Sequence, residues 1–109
     1  MLYQFITPGG QPTGIHSASF VSPTGTVTHP PEFTAVPLAP MIRPAGATAT
    51  YPLGWRLEVP SAHLDLTLTA RARNQFIANR IIPGFWEGAA AITRGAGGSC
   101  IVESTRESI

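Results

Sequence analysis

The chain has no lysine and one cysteine, Cys100. A lone cysteine excludes an intrachain disulfide and a zinc framework. Charge is scarce: charged residues make up 12% of the sequence, with seven arginines against six acids and a formal net charge of +1. Such a balance gives neither nucleic acid nor an anionic membrane a basic patch to bind. No apolar run approaches the ~20 residues of a membrane-spanning helix, so membrane insertion is not expected. The histidines His16, His29 and His63 have no ligand spacing and no neighbouring acid cluster, so no metal site is expected. There is no G-x-S-x-G nucleophile elbow. The glycine-rich run Gly95 to Gly98 has neither a lysine nor a following helix, which argues against a phosphate loop. Eleven prolines and eleven glycines in 109 residues leave little room for long helices, which both residues interrupt.

What is present is alternation. From Tyr51 to Val59, the residues Tyr51, Leu53, Trp55, Leu57 and Val59 share one face, and Arg56 and Glu58 the other. After a Pro60-Ser61-Ala62 turn, Leu64, Leu66, Leu68, Ala70 and Ala72 alternate with Asp65, Thr67, Thr69 and Arg71. Period-two patterning of this kind marks two antiparallel strands with one buried face. Further strands are expected at residues 2–7, 15–22, 26–29, 33–38, 85–94 and 99–105, between Pro/Gly turns. Pro37 marks the 33–38 strand as an edge. Residues 39–50, rich in Pro, Ala, Gly and Thr, read as a loop. Residues 74–82 fit one helical turn or an irregular loop equally well. The sum is one all-β domain over residues 1–109, an antiparallel meander forming a sandwich, a barrel-like sheet or a strongly curved sheet.

The order of motifs carries a resemblance. LYQF, then GQPTGIHSASFV and GTVTH, then YPLGWRLEVP, LDLTLTARARNQ, FWEGA and a closing VES resemble the C-terminal lobe of the carotenoid 1,2-hydratase-like (hydroxyneurosporene-synthase-like) family. Members of that family are similar to lipocalins built twice, with two barrel-like lobes side by side. They include hydratases of isoprenoid or isoflavonoid double bonds and fungal Diels-Alder-type cyclases. Two departures stand out. The family's N-terminal lobe has no counterpart here, and the last strand, Cys100 to Arg106, lacks the usual aromatic and the later glycine. The resemblance implies a lipocalin-like domain equivalent to one lobe. The implied partners are a hydrophobic small molecule and either a second copy of the chain or a partner lobe.

Under that resemblance the expected activity is a cofactor-independent hydratase, isomerase or cyclase reaction on an isoprenoid or polyketide-like molecule in natural-product metabolism. Two other readings stand beside it: a non-catalytic lipocalin-like binder, and a structural half that completes another subunit. Protonating an alkene or polarising a carbonyl needs a carboxylic acid in apolar surroundings. Glu87, in Phe85-Trp86-Glu87-Gly88, is the acid candidate; its bland alternative is a surface pairing with Arg56 or Arg71. His16 is the second catalytic candidate, as a proton shuttle near neutral pH. Asp65 reads as part of a solvated face. The barrel interior implied by the resemblance makes Tyr51, Trp55, Leu57 and Trp86 ligand-binding candidates. Tyr3, Phe20 and Phe85 join them. The opening MLYQFITPGG reads as a strand already under way, with no basic leader or cleavage site. With the lack of disulfides, that sets a cytoplasmic expectation.

Overall fold

A computed structural model of the chain describes residues 1–7, 9–78, 80–81, 83–95 and 97–106. The described residues form ten strands: β1 (Leu2–Ile6), β2 (Pro12–Ala18), β3 (Phe20–Val21), β4 (Val27–Thr28), β5 (Thr34–Ile42), β6 (Tyr51–Val59), β7 (Leu64–Ala70), β8 (Phe76–Ile77), β9 (Phe85–Arg94) and β10 (Ser99–Ser104). All strand pairs are antiparallel. The main sheet runs β10-β9-β7-β6-β5, with β8 paired to β9 beside the end of β7. Two small hairpins, β1-β2 and β3-β4, stand apart from it. Among the described residues no sheet closes into a barrel, because the edges β5 and β10 do not pair with each other.

The β6–β7 hairpin forms where the alternation places it. Its register sets Trp55 opposite Leu68, Leu57 opposite Leu66 and Val59 opposite Leu64, so the apolar sets of both strands share a face. A short 3-10 turn, Pro60–Ala62, connects them and ends on His63 in the left-handed region (φ 53). Its backbone N–H donates to the Pro60 carbonyl, closing the turn. β5 does occupy an edge, where Pro37 withholds no ladder bond from a second neighbour.

Three expectations change. The loop expected at 39–50 begins later, since β5 runs on to Ile42 with an irregularity between Leu38 and Met41. The single strand expected over 15–22 is two strands, β2 and β3, with different partners. The second hairpin strand ends at Ala70, and residues 71–75 bow out before β8 resumes the ladder on β9. The 74–82 segment therefore contributes a two-residue strand rather than a helical turn. Pro8, Asn79, Ile82 and Ala96, which fall within expected turns or in that segment, lie outside the described residues.

The inner face of the main sheet is covered at its two ends. At one end Ala18, Phe33 and Val59 are buried, with Leu2, Phe20, Ala35, Leu57 and Leu64 packed on them. This cluster joins the two small hairpins to the sheet. At the other end Tyr51, Leu53 and Trp86 are buried beneath Ala47, Ala49 and Phe76.

Candidate functional site

Trp86 and Trp55 define the chemistry of the inner face. Trp86 is fully buried, and its indole N–H donates to the Arg73 carbonyl at 3.1 Å. That bond holds the bowed segment 71–75 against the sheet and satisfies a carbonyl that the ladder leaves free. Gly88 makes room for the indole: a Cβ there would lie 2.8 Å from Trp86 Cη2 and 2.9 Å from Gln75 Cγ. Trp55 touches Trp86, with ring centroids 5.7 Å apart, but it is only half-buried. Among the described residues its indole N–H has no hydrogen-bond partner. Leu66, Leu68 and Ile92 are also half-buried and alternate onto the same face as Trp55. Between the two buried clusters there is thus an apolar strip with one free N–H donor. Small-molecule sites are lined mainly by apolar and aromatic side chains with a few placed polar groups, a composition this strip shares.

The other candidates fall in several places. Tyr51 is fully buried and packs on Phe76 at 5.8 Å. Phe20 and Leu57 belong to the opposite core cluster. Phe85 is half-buried and alternates with Trp86, on the face that Glu87 occupies. Tyr3 is half-exposed at 50% on the outer face of its hairpin, in edge contact with Phe5. The structure therefore brings Tyr51, Trp55 and Trp86 together and leaves Tyr3, Phe20, Leu57 and Phe85 elsewhere.

Glu87 is exposed and stands directly opposite Glu103 of β10. Neither arginine expected beside it serves as its partner. Arg56 holds Asp65 in a two-pronged hydrogen bond (3.2 and 3.0 Å) and Glu58 at 3.1 Å. Arg71 donates to the Ser99 hydroxyl at 3.0 Å. Glu87 thus lies on the exposed outer face of the sheet, away from the apolar strip. His16 is exposed, with Phe33 edge-on at 5.2 Å and its ring nitrogens 3.1 Å from the carbonyls of Gly14 and Pro31. It tethers β2 to the segment preceding β5. Asp65 behaves as its pattern suggested: the Arg56 hydrogen bond holds its carboxyl below the usual carboxylate range.

One concavity escaped the sequence reading. A shallow depression of about 400 Å³ lies around Gly54, bordered by Leu38, Pro40, Thr67, Thr69 and Arg73. Leu38 and Thr69 are the cross-strand partners of Gly54, so the missing side chain opens the space between them. A glycine inside an alternating strand was the available signal. None of the ligand-binding or catalytic candidates borders this depression. Among the described residues no group of three or more His, Cys, Asp or Glu could hold a metal ion. Among the described residues no helix is long and apolar enough to cross a membrane.

The chain matches no protein-family model, no curated protein and no solved structure. None of these comparisons supports the resemblance to the carotenoid 1,2-hydratase-like family.

Proposed function

We propose that this protein binds a hydrophobic small molecule of isoprenoid or polyketide type on the inner face of its main sheet, against Trp55. The observation that carries the reading is the half-buried Trp55, whose indole N–H lacks a partner among the described residues while that of Trp86 is satisfied. The flanking Leu66, Leu68 and Ile92 supply apolar area, and the free N–H supplies direction for an oxygen-bearing ligand. Binding is better supported than turnover. Hydration or acid-driven isomerisation needs an acid beside the ligand, and neither Glu87 nor His16 borders this strip.

Tryptophan fluorescence tests the reading. Titration with retinol or geranylgeraniol is expected to change the emission saturably in the native protein. The change is expected to vanish in Trp55→Phe, with the near-ultraviolet circular dichroism of the buried Trp86 retained. No saturable change, or the same change in Trp55→Phe, would overturn it. Water addition to the polyene that is lost in Glu87→Gln would replace binding with catalysis.

A further inference from the structure

The two edges of the main sheet are unlike. β5 carries Pro37 and Pro40, which have no N–H to offer a new neighbour. β10 has neither proline nor glycine in Ser99–Ser104. Its outward hydrogen-bonding groups follow from one bond. Ile92 N–H donates to the Gly98 carbonyl at 2.9 Å, which makes Gly98 and Ile92 a hydrogen-bonded pair at the mouth of the ladder. Such pairs alternate along antiparallel strands. Cys100, Val102 and Ser104 are therefore the residues bonded to β9. Ser99, Ile101 and Glu103 turn their N–H and C=O groups outward.

The side chains of those three residues lie on the outer face and are exposed, Ile101 by 68%. That face contains two like-charged cross-strand pairs. In the first, Glu58 stands opposite Asp65, and Arg56 bridges them. In the second, Glu103 stands opposite Glu87, and among the described residues no arginine forms an ion pair with either carboxylate. Like charges directly opposite each other on a sheet are destabilising. The nearby cation, Arg71, is drawn across Ala89 and Ala91 to the Ser99 hydroxyl.

We infer that β10 is a self-complementary docking edge, and that its occupant is β10 of a second copy of this chain. In the two-fold antiparallel register centred on Ile101, each outward-facing residue meets another. Ile101 lies opposite Ile101 of the second copy, and Glu103 opposite Ser99. Each such pair exchanges both of its main-chain hydrogen bonds. Because Ser99 holds Arg71, Glu103 of one copy arrives beside the Arg71 guanidinium of the other. The second copy thus supplies the arginine that the Glu87–Glu103 pair lacks. The two-fold axis stands normal to the sheet, so both inner faces look the same way. The proline-bearing β5 edge stops further addition, and the assembly closes as a dimer.

Sedimentation equilibrium over a concentration series tests this with the whole chain. The native protein is expected to dimerise. Glu103→Arg sets arginine against arginine across the edge and is expected to weaken association roughly tenfold or more. The same substitution places Arg opposite Glu87 within one copy, so the monomer's thermal midpoint is expected to rise. Arg71→Glu alone is expected to weaken association similarly, and Arg71→Glu with Glu103→Arg to restore it. A native protein that stays monomeric throughout would overturn the inference. So would a dimer indifferent to Glu103→Arg, or a double variant no better than the singles.

Discussion

Trp86 and Trp55 show how one residue type divides between packing and exposure. Trp86 combines complete burial with a hydrogen bond to the Arg73 carbonyl. Trp86→Ala is expected to cost about 3–5 kcal/mol in a denaturant melt, as large aromatic truncations do. Gly88→Ala forces a methyl group against Trp86 and Gln75 and is expected to cost about 1–3 kcal/mol by the same measurement. The alternation in the sequence placed Trp55 and Tyr51 on one face and Glu87 opposite Trp86. It could not separate core from ligand surface, because both uses demand the same apolar period. That distinction depends on what covers each ring, and the cover comes from residues distant in sequence: Ala47, Ala49 and Phe76. The Arg56–Asp65 bond carries a pH dependence. Asp65 has a lowered pKa in the folded chain, so its pairing stabilises the fold above the usual aspartate range and is lost as the pH falls through the lowered value. Acid melts are expected to show a shallower loss of stability below about pH 4 in Asp65→Asn than in the native protein.

Strands were legible wherever a local pattern fixed them. Pro37 identified an edge because a missing N–H is tolerable only there. Val59 and Leu64 flank a turn that Pro60 begins, and the hairpin register follows from it. The break between β7 and β8 was not legible. It depends on the Trp86 bond to Arg73 and on the small Gly88 beneath it, and neither contact leaves a periodic trace. The same limit hid the outward set of β10, since its phase is set by the Ile92–Gly98 bond. Cys100 belongs to the inward set of that strand, and burial pushes its thiol pKa up. Iodoacetamide at mildly alkaline pH is therefore expected to label Cys100 more slowly in the folded protein than in urea, as followed by mass spectrometry.

The whole molecule is long for its size. Its radius of gyration is 14.5 Å and its extents are 42 × 27 × 24 Å, against roughly 13 Å for a compact chain of this length. The elongation follows from a core split into two clusters at opposite ends of an open sheet. Between them the sheet's inner face is only partly covered, and that gap is where the proposed ligand would lie. The β1–β2 hairpin packs on one cluster and is otherwise tied to the rest of the chain by a few side-chain bonds, among them Gln4 Nε2 to the Ala35 carbonyl and the His16 ring to the Pro31 carbonyl, so its amides are expected to exchange with deuterium sooner than those of β6, β7 and β9. The central claim is that the two indoles differ: Trp55 faces the ligand and Trp86 serves the fold. A proton–nitrogen correlation spectrum of the labelled protein reports both indole N–H groups as separate signals. With retinol added, the Trp55 signal is expected to shift saturably while the slowly exchanging Trp86 signal stays in place. A shift confined to Trp86, or no shift in either, would contradict the account.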